Sequence, residues 1–150
     1  MSSPTEITSG PWAGWKTWPH DNFETHAGPF YSQMQDGEIV NRFIAEARHI
    51  NGGGSIHGGC LLTFADYCCF TIADAAIAGR AVTVNLSGDF LSAGKLGDVM
   101  EGRGEVTKSG GSMIYVRGLI TASGKPCLSF TSVLYRMKPN SPAGKAPVPA

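Results

Sequence analysis

The order of elements along the chain predicts an α+β fold in which an antiparallel sheet of about five to six strands wraps around one long central helix. Three observations carry this expectation. Residues 59–78, read from Gly59 as GCLLTFADYCCFTIADAAIA, are apolar on nearly every side, so a helix formed there has no face to give to water and must be enclosed. Two extended segments precede it and four follow it, most with the two-residue alternation of strands. No βαβ alternation occurs, so nothing calls for a parallel sheet.

Taken in order, residues 1–29 form an N-terminal extension that begins with small polar residues. It then carries Trp12, Trp15, Trp18 and Phe23, more aromatic surface than a free linker exposes. This segment is expected to be partly ordered and to pack on the domain or line a pocket. Residues 30–35 and 38–47 read as strands, and the Asp36-Gly37 dipeptide between them signals a tight hairpin turn. The loop HINGGGSIHGG, residues 49–59, has five glycines in eleven positions and so access to backbone shapes closed to other residues.

After the helix, Val82, Val84 and Leu86 fall on one face of a strand. Residues 101–108 form the next. Met113, Tyr115, Arg117 and Leu119 then oppose Ile114, Val116, Gly118 and Ile120, and residues 127–137 close the set. Ser109-Gly110-Gly111 and Ser123-Gly124 supply the turns between the last three strands. The domain is therefore expected to span residues 30–138, with residues 139–150, rich in proline and alanine, as a flexible tail. An open sheet leaves an edge to cover, which makes self-association the expectation.

Composition excludes several classes of function. The chain has 150 residues, 42% of them hydrophobic, enough for one domain with a core. Twelve basic and twelve acidic residues cancel, leaving no excess charge to hold nucleic acid or an anionic membrane. The start MSSPTEITSG lacks the basic and apolar regions of a secretory signal, and Asp66 and Asp74 interrupt the longest apolar run, so a cytoplasmic protein is expected. Cys60, Cys68, Cys69 and Cys127 show no metal-ligand spacing and read as small buried hydrophobes; no metal is expected.

The run H-I-N-G-G-G-S-I-H-G-G, with Asp66 seven residues after Gly59, resembles the HxNxxGxxHGG signature of hotdog-fold acyl-CoA thioesterases, in particular the phenylacetate-pathway (PaaI-like) group. The resemblance extends over about residues 30–137 and includes the V-T-V-N-L strand and the F-L-S-A-G-K-L-G segment. It implies hydrolysis of an acyl-CoA without any cofactor beyond the coenzyme A of the substrate, in homodimers with two active sites at the interface and frequently in dimer-of-dimers tetramers. It further implies Asp66 as nucleophile or general base, the Gly58 N–H as donor to the thioester carbonyl, Asn51 as the loop asparagine and Thr83 as the hydroxyl that helps place water. Related enzymes often have serine at the Thr83 position. Many also carry a basic residue near the nucleotide end, where this chain has Gly111 and Ser112.

The residues support that chemistry on their own terms. Thioester hydrolysis needs a stabilised oxyanion and a positioned water or nucleophile, and Gly58, where loop becomes helix, offers a free N–H at the positive end of the helix. Asp66 lies on an otherwise apolar helix, where burial raises and nearby donors lower its pKa; the alternative is a purely structural carboxylate. Asn51 has an amide to donate without bringing charge, or serves only the geometry of the loop. His57 either orients substrate or holds the loop through backbone hydrogen bonds.

Gly59 and Thr63 on the first helical turns, with Lys108, Gly110 and Gly111, are the expected substrate-binding residues. Arg80, Lys95, Lys108 and Arg117 are candidates for the coenzyme A phosphates. Phe64, Tyr67, Phe70 and the N-terminal tryptophans Trp12, Trp15 and Trp18 are candidates for an acyl pocket wall, with plain core as the alternative for the three on the helix. Gly58 and Asp66 are eight residues apart, roughly 12 Å along one helix. They cannot both touch one carbonyl, so the site is expected to combine the Gly58 of one chain with the Asp66 of another. The rival readings are a hotdog hydratase or dehydratase acting on enoyl- or hydroxyacyl-thioesters, and a noncatalytic acyl-CoA-binding module.

Overall fold

Helix α2 (Gly58–Ile72) is the element around which everything else bends. The computed structural model describes residues 3–139, so all but the first residue of the expected C-terminal tail lies outside the described residues. Leu61, Phe64, Ala65, Tyr67, Cys68, Cys69 and Thr71 of α2 are buried, as its all-round apolar sequence requires. They pack on a cluster in which the rings of Phe30, Phe43, Phe64 and Tyr67 meet with centroids 4.8 to 6.3 Å apart.

The sheet is antiparallel throughout. Its strands are β1 (Thr5–Glu6), β2 (Lys16–Thr17), β3 (Tyr31–Gln35), β4 (Glu38–Ile44), β5 (Ala81–Phe90), β6 (Val99–Ser109), β7 (Met113–Ala122) and β8 (Lys125–Arg136), in the spatial order β1-β2-β3-β4-β6-β7-β8-β5. The antiparallel sheet around one helix is the hotdog arrangement expected from the sequence. The strand count is eight rather than five to six, because the aromatic N-terminal segment adds two short strands, β1 and β2, to one edge. The Asp36-Gly37 turn has φ of 50° and 83°, the left-handed pair that matches the twist of a two-residue hairpin.

Two features let the sheet close on the helix. Gly102 and Gly104 of β6 and Gly118 of β7 face inward with no side chain, and a Cβ at Gly102 would run into the Cys68 Sγ. A buried polar pin then joins three elements: Thr71 Oγ1 donates to Asn41 Oδ1 (2.7 Å), while Asn41 Nδ2 donates to the Gly102 carbonyl (3.2 Å). The pairing satisfies polar groups that would otherwise destabilise the core.

Three boundaries differ from the sequence expectation. The apolar run 59–78 is not one helix: α2 ends at Ile72, and a short α3 (Asp74–Ile77) follows, closed by Ala78 at φ 47°. Uniform apolarity gave no signal for this break. The second strand stops at Ile44 instead of residue 47, because residues 47–49 wind into a 3-10 turn with reciprocal Glu46 and His49 caps. On β5 a bulge between Thr83 and Asn85 breaks the alternation of Val82, Val84 and Leu86, leaving Val82 and Val84 exposed.

The N-terminal segment lies against the domain. Trp12 stacks on Tyr31, Trp15 is buried under the Arg42 guanidinium, and Trp18 meets Tyr67 edge-on. Helix α1 (Asn22–Ala27) is capped by Asp21, whose Oδ1 accepts the Glu24 N–H at 2.8 Å. Its other end is held by two side chains from the loop before α2: the His49 Nε2–H donates to the Ala27 carbonyl (2.7 Å), and Arg48 donates to the carbonyls of His26 (2.6 Å) and Gly28. Among the described residues no helix is long and apolar enough to cross a membrane.

Candidate active site

The loop before α2 is shaped by its asparagine. Asn51 Oδ1 accepts the N–H groups of Gly53 (2.9 Å) and Ser55 (3.1 Å), and Asn51 N–H donates to the Ser55 carbonyl (2.8 Å). Its carbonyl oxygen is thereby committed to the loop, which leaves the amide NH2 as the donor facing outward. Gly54 sits at φ 83°, the left-handed conformation the turn requires. The loop delivers His57 as the N-cap: its Nδ1 accepts the Gly59 N–H at 2.9 Å, and its carbonyl takes the Cys60 and Leu61 N–H groups.

One donor of the first turn is left over. Among the described residues the Gly58 N–H has no acceptor, so it points the positive end of α2 outward. The Phe90 ring at the end of β5 lies 3.2 Å from where a Gly58 side chain would begin, so the exposed amide has an aromatic wall on one side. No periodicity in the sequence marks Phe90 for this place; it depends on β5 returning past the start of α2.

Two turns further along α2, the half-buried Asp66 accepts a 2.7 Å hydrogen bond from Thr83 Oγ1 on β5. Burial pushes the Asp66 carboxyl above the usual range, the Thr83 hydroxyl pulls it back, and the nearby Asp21 charge pushes it up again; the net shift is upward. Around it are clefts of about 470 Å³, with Trp18, Asp21, Glu24, Tyr67 and Thr83 in its walls, and about 460 Å³, with Phe23, Glu24, Leu62, Thr63 and Leu86. A third cleft of about 450 Å³ joins Thr63 to His57, Gly59 and Arg48. Thr63 Oγ1 itself donates to the Gly59 carbonyl (2.9 Å).

Trp18 lines the first of these clefts, as one of the tryptophans expected to wall a pocket, whereas Asp21 and Glu24 are site residues that the sequence reading missed. Asp21 and Glu24, three apart, have the D-x-x-E spacing of a helix start, which marks α1 but not what it covers. Thr83→Ala is expected to raise the Asp66 pKa further, since it removes the one contact that favours the ionised form. The acidic limb of a pH–rate profile should therefore move to higher pH, and Thr83→Ser should restore it. An unmoved limb would show that Asp66 ionisation does not control the rate.

The structure brings Gly58, Gly59, His57 and Asn51 to one end of α2, and Thr63, Asp66 and Thr83 along its exposed side. It does not bring Lys108, Gly110 and Gly111 to them within one chain. Their hairpin lies at the opposite end of the sheet, where Met113 pairs with Tyr135, whereas Phe90, beside Gly58, pairs with Leu128. There Arg136 gathers the carbonyls of Ala76 (2.6 Å), Gly110 (2.9 Å) and Gly111 (2.8 Å). Of the expected cations, Arg117 is spent on Glu105 at 2.7 Å, while Arg80, Lys95 and Lys108 have no carboxylate partner among the described residues. Phe64 and Tyr67 belong to the core, and Phe70 is half-buried beside the cleft that holds Trp18 and Asp66. Among the described residues no three His, Cys, Asp or Glu side chains gather as metal ligands.

A curled antiparallel sheet around a central helix defines a hotdog protein, and the free glycine amide with the carboxylate two turns on is its candidate site. The chain belongs to the thioesterase superfamily, whose family model matches residues 53–127, half of its length, and it is an enzyme of that class.

Among solved structures it is similar to a hypothetical thioesterase protein from Streptococcus pneumoniae TIGR4, solved with coenzyme A. That protein is 27% identical at a TM-score of 0.63, covering 71% of this chain and 86% of that one. The PaaI protein of the E. coli phenylacetic acid degradation operon shares the fold at 24% identity and TM-score 0.68, covering 79% and 86%. The TT0310 protein of Thermus thermophilus shares it at 24% and 0.69, covering 79% and 99%. No curated protein matches the chain.

Proposed function

We propose that this chain hydrolyses an acyl-CoA thioester to a free carboxylic acid and coenzyme A, with Asp66 as general base and the Gly58 N–H as oxyanion donor. The observation that carries this reading is the 2.7 Å hydrogen bond from Thr83 to Asp66, on the same helix whose first amide is unsatisfied. Thr83 occupies one carboxylate oxygen and leaves the other for water. Water gives its proton to Asp66 as its oxygen attacks the thioester carbon. The carbonyl oxygen takes negative charge against the Gly58 N–H, and the carbon–sulfur bond then breaks, the sulfur leaving as coenzyme A thiol once a proton is returned to it. The coenzyme A bound by the streptococcal relative supports that carrier.

With roughly 12 Å of helix between them, Gly58 and Asp66 serve different substrates, so each site joins the Gly58 of one chain to the Asp66 of a second. The ten-residue edge strand β5, with Val82, Val84 and Phe90 exposed, is a surface suited to such pairing. Asn51 and Thr83 orient substrate and water, Gly59 and Thr63 line the approach, and the hairpin of Lys108, Gly110 and Gly111 belongs to the nucleotide end of a site completed by another chain. His57 acts as the helix cap, its Nδ1 engaged by a backbone N–H rather than by the acidic partner a hydratase histidine needs.

The test is release of free thiol from phenylacetyl-, hydroxyphenylacetyl-, butyryl-, palmitoyl- and crotonyl-CoA. At least one should be cleaved by the dimer or a larger assembly. Hydration of crotonyl-CoA without thiol release would assign the hydratase reading, binding without either reaction a noncatalytic module, and activity in an isolated monomer would end the shared site.

A further inference from the structure

Helix α1 is fastened at both ends, by the Asp21 cap at its start and by Arg48 and His49 at its finish, so the side chains it turns inward have fixed places. Glu24 is one of them. It is half-buried and walls both clefts that Asp66 opens onto, on either side of α1. A short amphipathic helix packing on an apolar one has no reason of stability to turn a carboxyl toward another carboxyl, since the two repel in a site of reduced dielectric. Nor does any cation pair with it among the described residues: Arg48, in the loop below, is held by Glu46 and by carbonyl groups at the far end of α1.

We infer that Glu24 is a second acid of the active site, which gives its proton to the sulfur of the departing thiol while Asp66 takes the proton of the attacking water. This rests on the hydrolytic reading above. The step balances: water loses a proton to Asp66, the carbon–sulfur bond breaks, sulfur takes the Glu24 proton, and the Asp66 proton passes to Glu24 to restore the starting state. Thiol and free acid are the only products.

The electrostatics agree with this division of labour. Burial, the Asp21 carboxylate and the Asp66 carboxylate, in that order, push Glu24 up to about 7, whereas the Thr83 hydroxyl holds the Asp66 rise in check. Two carboxyls whose surroundings separate them in this way are an ionised base and a neutral acid over the same pH range. The groups facing Glu24 are Asp21 from its own element, Asp66, Tyr67 and Cys68 from α2, and His20 and Asp74 around the shared cleft.

The experiment compares pH profiles of kcat/KM for the full-length wild type and Glu24→Gln. Each is measured on one acyl-CoA and on a thiophenyl ester of the same acid, whose thiol is far more acidic and leaves without help. Wild type should lose activity on the acyl-CoA as pH rises through about 7, the range in which Glu24 ionises. Glu24→Gln should be at least about tenfold slower than wild type on the acyl-CoA below that range, show no alkaline fall, and approach wild type on the thiophenyl ester. Equal losses on both esters, or an alkaline limb that survives in Glu24→Gln, would overturn the inference.

If the variant does not fold, a wild-type profile with no alkaline fall on acyl-CoA overturns the inference equally, and a fall that is absent on the thiophenyl ester supports it. Wild type inactive on every thioester would instead defeat the hydrolytic reading and take this one with it. An active wild type with an indifferent Glu24 defeats this one alone.

Discussion

Asp66→Asn is expected to lower kcat/KM for an acyl-CoA by roughly 10² to 10⁴-fold, the usual contribution of a positioned general base, while leaving the fold intact. The substitution preserves the shape of a half-buried side chain and keeps an oxygen able to accept the Thr83 hydroxyl, so the 2.7 Å contact has a neutral replacement. What it removes is the basic oxygen that takes the proton from water. Because burial and the Asp21 charge already disfavour the ionised form, a neutral amide at this place costs the native state nothing, and the melting temperature should stay level or rise. Thiol release in single-turnover and steady-state assays, with circular dichroism as the check on folding, decides it. Retention of more than about a tenth of the activity in a folded Asp66→Asn would remove Asp66 from the chemistry.

Gly118→Val is expected to destabilise the protein by about 3 kcal/mol, enough to prevent accumulation of folded protein in a domain of ordinary marginal stability. A side chain at Gly118 would collide with the Phe130 ring and come within 2.5 Å of the Arg103 carbonyl. The first neighbour is buried and the second is backbone in the paired strand β6, so neither can yield without breaking the ladder. Gly111→Ala, on an open hairpin where an added carbon meets nothing, serves as the control and should change stability by less than about 0.5 kcal/mol. Urea midpoints measure both. A Gly118→Val protein as stable as wild type would mean that β7 does not sit this close to Phe130 and to the β6 backbone in solution.

Much of the candidate site's layout was legible in the chain because its signals are local. The free amide of Gly58 follows from a glycine placed where a loop enters a helix, and Asp66 stands out as the carboxylate of an apolar helix. Their separation is a matter of helical rise, which carries the two-chain argument without any tertiary information. His57 is an instructive intermediate: its place before the helix made a backbone role one of two readings, and the structure makes it the N-cap.

Other parts were not legible, for identifiable reasons. The break after Ile72 falls in a run of uniformly apolar residues where periodicity carries no phase. The β5 bulge rotates Val82 and Val84 out of a face that strict alternation assigned them, and a bulge is set by the register of β8 rather than by β5 alone. Gly102, Gly104 and Gly118 looked like weak points in strands. They are where the strands touch α2 or each other most closely, a property visible only when both sides of the contact are assembled.

By itself, then, the sequence determined the class of fold, the turn at Asp36-Gly37, the loop that starts the helix and the identity of a carboxylate and an amide on one helix, because each depends on neighbours within a few residues. Only the tertiary structure decided that an N-terminal helix lies across Asp66 and puts Glu24 beside it, that Thr83 answers Asp66, and that the hairpin of Gly110 and Gly111 sits at the far end of the sheet from Gly58. The first two outcomes turn on Glu24 and Thr83, 42 and 17 residues from Asp66 in sequence, meeting it in space, and on the burial and charge that such meetings create.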